Sequence, residues 1–262
     1  MTARRKPAPE ATGRGEGLGG DQVEGRRAVV ELLRARRRPV RGLAIADSVD
    51  PSPILSEIRD LAGSEGVAVR RVTAEELAAM ARTDAPQGVV ARADPVPVHD
   101  VDGLLADPAA FLVALDGVTD PHNLGSILRI AETAGATGVI LPRHRSARLS
   151  PAAVKAAAGA IEHLPIAGVS GIPAFLDRAT RAGLWAVGLD EAGERELFGL
   201  ELADRPLVLV LGAEGRGLSR LARARCDVVV RIPMQGTLTS LNVAAAAALA
   251  CFEVTRRRAP TR

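Results

Sequence analysis

Tyrosine is missing from this 262-residue chain, tryptophan occurs once, and aromatic residues together make up 2% of it. A chain so poor in flat rings has little with which to stack exposed bases. Cysteine is almost as scarce. Neither Cys226 nor Cys251 has a second Cys or His at metal-ligand spacing, which excludes a disulfide scaffold and gives no sign of a metal site. Lysine is nearly absent too, since arginine supplies 32 of the 34 basic residues. Long apolar runs are also lacking: the longest, Val243 to Phe252, falls well short of the roughly 20 residues that cross a bilayer. The N-terminus is basic and polar, without the apolar segment of a signal peptide. These absences lead us to expect a cytoplasmic protein with reduced, buried thiols, no metal and no membrane contact.

What is present is enough apolar material, 47% of residues, for one large domain or two modest ones. Net charge is only +3, but arginines cluster at Arg34 to Arg41 (RARRRPVR) and Arg256 to Arg258. Their planar forks suit phosphate, and the same runs also suit a plain solvated surface.

Residues 1–21 are rich in Gly, Pro and charge without apolar periodicity, and are expected to be a flexible tail. Residues 22–95 alternate amphipathic helices with short strands, including a helix opened by the capping box Thr73-x-x-Glu76. They predict a compact α/β unit. A proline- and aspartate-spaced linker is expected over 96–108. From 109 to 262 strand-length apolar runs (FLVALDG, GVILP, HLPIAG, LWAVGLD, PLVLVLG, DVVVRIP) alternate with helical stretches, as in a parallel sheet covered on both faces. Ligands of such sheets sit beyond the carboxyl ends of the strands.

Three of those ends carry unusual residues. The stretch LVLVLGAEGRGLSRLA, Leu207 to Ala222, reads as strand, glycine turn and helix start. It fails as a phosphate loop because Leu218 stands where the lysine belongs, and as a dinucleotide loop because Glu214 occupies the second glycine position. A carboxylate there disfavours a polyanion and suits a cationic or hydrogen-bond-donating ligand; the alternative is a tight turn with Glu214 solvated. The other two ends are DGVTDPHNLGSILR, Asp116 to Arg129, and IPMQGTLTSLN, Ile232 to Asn242, which leads into the nearly pure apolar helix VAAAAALACFEV. As isolated residues, Asn123, Ser240 and Asn242 are most simply helix N-caps.

Taken together and in order, DPHNLGSILR, LVLGAEGRGL and IPMQGTLTSLNVAAAAALACFE resemble the three motifs of the SpoU, or TrmH-like, branch of the SPOUT RNA ribose methyltransferases. The resemblance covers about Val23 to Arg258. With RSARLSPAAVKAAAGAIEHLPI it is most similar to the bacterial branch that methylates a guanosine ribose in 23S ribosomal RNA. It implies an α/β SPOUT domain with a parallel sheet and a deep trefoil knot, which periodicity alone would never suggest. It also implies a ribosomal-protein-like substrate-binding domain in front, S-adenosylmethionine as cofactor, RNA as partner, and a homodimer built partly on the alanine-rich last helix.

The resemblance further implies the site. Arg129 is placed at the ribose 2'-hydroxyl, orienting first and accepting a proton second, since a guanidinium is intrinsically a poor base. Asn123, Glu214, Ser240 and Asn242 surround the reacting centre, while Gly212, Ile232, Met234 and Leu241 contact the cofactor. His122 is left outside the catalytic set. In the front domain Arg34 to Arg41 is the candidate phosphate contact, and Trp185 is assigned to a core strand. The same chemistry on transfer RNA or on an antibiotic-resistance site of ribosomal RNA is the neighbouring alternative, and a Rossmann-type oxidoreductase the distant one.

Overall fold

The computed structural model describes residues 17–144, 146–237 and 240–259. In the front domain the elements run β1 (Gln22–Glu24), α1 (Arg26–Ala35), β2 (Val40–Ala46), α2 (Pro53–Ser64), β3 (Val69–Val72), α3 (Ala74–Met80) and β4 (Val89–Ala93). They form a four-stranded sheet of order β1-β4-β2-β3, in which only β2 and β3 run parallel. The expected capping box opens α3: the Glu76 N–H donates to Thr73 Oγ1 at 3.1 Å, and the Thr73 N–H donates to Glu76 Oε2 at 2.8 Å.

After a short helix α4 (Val101–Leu105), strands and helices alternate: β5 (Phe111–Asp116), α5 (Pro121–Thr133), β6 (Gly138–Pro142), α6 (Pro151–Ala157), β7 (Ile166–Val169), α7 (Ile172–Arg181), β8 (Trp185–Leu189) and β9 (Arg195–Glu196). They continue with β10 (Leu207–Gly212), α8 (Arg220–Arg223), β11 (Val228–Arg231) and α9 (Val243–Arg258). Seven strands make one wholly parallel sheet, ordered β7-β6-β5-β10-β8-β11-β9. Its two faces follow from side-chain alternation along a strand. Phe111, Val113 and Leu115 of β5, with Leu207, Leu209 and Leu211 of β10, pack in one core with α5, α6 and α9. Leu112, Ala114, Val208 and Val210 pack in the other with α7 and α8. Both faces are covered, which is why these strands read as unbroken apolar runs. Helix α5 lies against α6 so closely that a Cβ on Gly125 would sit 2.3 Å from the Ala153 carbonyl oxygen.

The two domains share the first of those cores, to which α1 contributes Val29, Leu32 and Leu33. One ion pair is buried between them. Arg38, 5% exposed, forks onto Glu162, 2% exposed, donating from Nε to Oε2 at 3.0 Å and from Nη2 to Oε1 at 2.6 Å. Its remaining donor reaches the Gly20 and Asp94 carbonyls.

Several expectations are corrected here. The run Arg34 to Arg41 is not a free phosphate surface: Arg34 pairs with Glu31 and Glu57, Arg36 with Glu65, Arg41 with Asp94, and Arg38 is consumed between the domains. Arg256 likewise pairs with Glu253, and Arg258 donates to the carbonyls of Ala203, Ala109, Ala110 and Arg205. Trp185 does open the interior strand β8, but its own side chain is 43% exposed. Within the expected tail, residues 1–16 lie outside the described residues, but 17–21 are tied down. The Gly20 N–H donates to the Leu149 carbonyl at 2.8 Å, the Val96 N–H to the Gly19 carbonyl at 3.0 Å, and the Ala93 N–H to the Asp21 carbonyl at 2.9 Å. Gly19 and Gly20, at φ of 94° and 82°, adopt the left-handed backbone that this path requires. Within the expected linker, α4 and the His99 N–H bond to the Ile166 carbonyl fix the chain to the second domain.

Replacing one partner of a buried ion pair strands the other charge, at a cost of about 3–5 kcal/mol. Glu162→Leu alone should therefore lower the chemical-denaturation midpoint strongly, and Arg38→Met/Glu162→Leu should recover most of the loss. Equal losses in the single and double variants would contradict this account of the interface.

Candidate active site

The carboxyl ends of β5 and β10 lie level, because Gly212 is in register with Asp116. From there the glycine loop folds back on itself: the Ala213 N–H donates to the Gly217 carbonyl at 3.0 Å and the Gly217 N–H to the Ala213 carbonyl at 2.9 Å. Such closure needs bare backbone. A Cβ on Gly212 would lie 2.1 Å from the Gly217 carbonyl carbon, and Gly217 itself, at φ of 64°, backs onto the Asp190 carboxylate. Asp190 also accepts from the Leu218 N–H, and Asp116 accepts from the Ser219 N–H at 2.7 Å. Pinned on both sides, the loop presents Glu214 at its exposed tip.

Glu214 is the end of a directional chain of hydrogen bonds. A carboxylate only accepts, so Asn123 must turn its amide nitrogen toward Glu214 Oε2, at 3.1 Å. That leaves Asn123 Oδ1 to accept from the Asn242 amide nitrogen at 2.9 Å. Asn242 Oδ1 in turn accepts from the Ala244 and Ala245 N–H groups and caps α9. Asn242 thus caps α9, as its sequence position allowed, and holds Asn123 as well. Asn123 does not cap: Asp120 is the N-cap of α5, accepting from the His122 N–H, and Asn123 is buried one turn in. Among the described residues Glu214 Oε1 has no hydrogen-bond partner, and the residue lines a cleft.

That cleft, about 330 Å³, lies along the carboxyl ends of β8, β10 and β11. Six of the anticipated residues line it: Gly212, Glu214, Ile232, Met234, Ser240 and Leu241. Leu238 and Thr239, between Met234 and Ser240, lie outside the described residues. Apolar walls from Leu211, Leu241 and Val243 face the carboxylates of Glu214 and Glu191, and Arg216 is the one cation in the lining. A slot with apolar faces, bare amides and surplus negative charge fits a ligand that combines a flat heterocycle with a positive centre, and S-adenosylmethionine is such a ligand. A triphosphate is not. Leu189, Asp190 and Glu191 belong to this lining and escaped the sequence reading, although LWAVGLD is legible as another strand running into a polar end.

Arg129 is the exception. It is exposed on α5 six residues beyond Asn123, which at 3.6 residues per turn rotates it by roughly 240°, off the face that meets Glu214. It lines a separate cleft with Arg26, Arg27 and Lys155. Among the described residues no group of three or more His, Cys, Asp or Glu side chains is arranged to hold a metal, and no helix is long and apolar enough to cross a membrane. Burial pushes the thiols of Cys226 and Cys251 up to about 12, so neither serves as a nucleophile near neutral pH.

Comparison with known proteins agrees with this geometry. Residues 110–252 match the SpoU rRNA methylase family, and residues 22–98 match the RNA 2'-O ribose methyltransferase substrate-binding domain. The 23S rRNA (guanosine-2'-O-)-methyltransferase RlmB of Pseudomonas syringae pv. tomato is 38% identical over 247 residues, spanning 92% of this chain and 98% of that protein. Among solved structures, the SpoU methyltransferase AviRb of Streptomyces viridochromogenes in complex with AdoMet superposes with a TM-score of 0.76 at 30% identity, over 90% of each chain. An AdoMet-bound rRNA methyltransferase from Sinorhizobium meliloti gives 0.75 at 28% identity, over 90% of this chain and 87% of that one. With matched catalytic and substrate-binding domains in the same order, the chain belongs to the SpoU rRNA methylase family and is an S-adenosylmethionine-dependent RNA 2'-O-ribose methyltransferase.

Proposed function

We propose that this chain acts as a cytoplasmic homodimer that methylates the ribose 2'-hydroxyl of a guanosine in 23S ribosomal RNA. The observation that carries the site assignment is the chain from Glu214 through Asn123 to Asn242, which draws three distant loops to the mouth of one cleft. The choice of 23S guanosine rests on what relatives such as the Pseudomonas syringae enzyme are named for. The knot implied by the resemblance belongs to the same proposal. Close backbone passage between distant segments supports it at Gly193, where a Cβ would meet the Val230 carbonyl carbon at 2.4 Å.

S-adenosylmethionine supplies a methyl group made electrophilic by the positive sulfur. The protein's part is to hold that charge and align the hydroxyl. Leu211, Ile232, Met234 and Leu241 would supply the apolar walls that hold the adenine, and the Gly212–Gly217 backbone would supply polar groups for its edge. Glu214, with Oε2 fixed by Asn123, offers Oε1 to the ribose hydroxyl or to the positive end of the cofactor. Ser240, beside it, provides a rotatable hydroxyl. Arg129 grips a substrate phosphate with its guanidinium fork, and the hydroxyl proton leaves to that phosphate or to water.

Because Arg129 faces away from the cleft of its own chain, the homodimer is how it reaches a reacting centre. The exposed face of α9 supports such an assembly: Leu249 is 38% and Phe252 46% exposed, in line with Ala245 at helical spacing. Small neighbours allow a second helix to approach closely.

Three measurements check these assignments. Purified protein given tritiated S-adenosylmethionine and unmodified total RNA should label 23S RNA at a guanosine whose 3' linkage resists alkali; label on a base, or on transfer RNA alone, contradicts the proposal. Arg129→Ala and Asn123→Ala should each lower kcat by about 100-fold or more, the loss expected from slight misplacement of the reactants. Arg129→Ala should leave cofactor affinity unchanged. Phe252→Glu should yield a monomer by sedimentation and abolish transfer, and an active monomer would refute the shared site.

A further inference from the structure

The cofactor cleft has a roomier neighbour. A cleft of about 650 Å³ opens between the two domains, lined on one side by Gly25, Arg26 and Arg27 at the start of α1 and on the other by Arg129 of α5 and Lys155 of α6. Four cations from three helices therefore face one another. Their state differs from that of the arginine run at 34–41, where acids pair off the exposed charges. Among the described residues the side chains of Arg27, Arg129 and Lys155 have no hydrogen-bond or ion-pair partner, and Arg26 donates only to the Gln87 carbonyl and Ser52 Oγ.

The acids nearby are already engaged. Glu24, also in the lining, accepts from Gln22 Nε2, the Arg82 N–H, the Thr83 N–H and the Thr83 hydroxyl, all on the buried side. Glu31, in the adjoining depression that Arg129 also borders, is held by Arg34 and His163. Glu132 is the remaining carboxylate there. The start of α1 adds to the positive field, with no acid in its first turn and no side-chain cap.

Unpaired cations held close together repel one another unless an anion lies between them, and the anion must be long enough to meet residues on both domains. We infer that this interdomain cleft is the track for the substrate's phosphate backbone, with Arg27 and Lys155 gripping phosphates beside the nucleotide that Arg129 positions. The inference rests on the RNA reading above and deepens it. It moves phosphate recognition from the arginine-rich run to the seam between the substrate-binding and methylase domains. One helix serves both ends: α5 carries Asn123 at the cofactor loop and Arg129 in the cleft, about 9 Å farther along its axis.

The test uses an unmodified 23S transcript and the full-length protein, with binding followed by filter retention from 50 to 200 mM salt. Each lost phosphate contact should reduce the slope of log K against log salt by about 0.7–0.9, so Arg27→Ala/Lys155→Ala should reduce it by about 1.5. The same variant should raise KM for RNA, while cofactor affinity and melting temperature stay at wild-type values. Lys155→Arg should keep the wild-type slope, as a matter of charge and not of packing. Arg34→Ala, which removes a paired arginine, should leave the slope unchanged. An unchanged slope in the double variant, with wild-type protein methylating the transcript, overturns the cleft assignment alone. A wild-type protein that neither binds nor methylates the transcript overturns the RNA reading and this inference with it.

Discussion

Everything at the reacting end of this molecule depends on a carboxylate that can only accept. Glu214 dictates which way Asn123 presents its amide, Asn123 dictates Asn242, and Asn242 finishes on the amides that open α9. The partners are 91 and 119 residues apart in sequence, yet the polarity of the chain leaves a single arrangement. A neutral amide at 214 would leave that direction set from the α9 end alone, where the Ala244 and Ala245 N–H groups can only donate. The glycine loop makes the geometry reachable by folding back so tightly that Glu214 is thrust outward from the level of Asp116.

The same face of the sheet that carries α5 and α9 also receives the front domain, so substrate recognition and chemistry share one continuous core. The Arg38 and Glu162 pair, buried there, contributes little net stability against an apolar replacement. Its effect lies in register: a bidentate fork that also bonds two carbonyls tolerates one docking angle between the domains. The glycine-rich segment 17–21 threads the same seam and bonds to both sides of it.

Much of this was legible in the sequence, for identifiable reasons. Strands buried on both faces announce themselves as apolar runs, and the Thr73 box marks its helix because both partners are local. The gathering of these residues into one cleft was legible because they sit on strand ends and loops, where position along the chain translates into position in space. What the motifs did not convey was nonlocal or angular. Helical phase separates Arg129 from Asn123, and a neighbouring aspartate takes the cap that Asn123 seemed to fill. The arginine run looked like a phosphate surface because its partners, Glu57, Glu65, Asp94 and Glu162, come from elsewhere in the chain. Low complexity in 17–21 concealed glycines chosen for backbone angles.

Helix α5 deserves its rigidity. Packed so that even a methyl group at Gly125 would strike α6, it can neither roll nor slide without breaking the sheet's inner core. The span between its amide at the loop and its guanidinium in the seam is therefore a fixed ruler. In the proposed dimer that constant spacing would set one subunit's methyl-donor slot at a fixed reach from the phosphate grip it lends its neighbour.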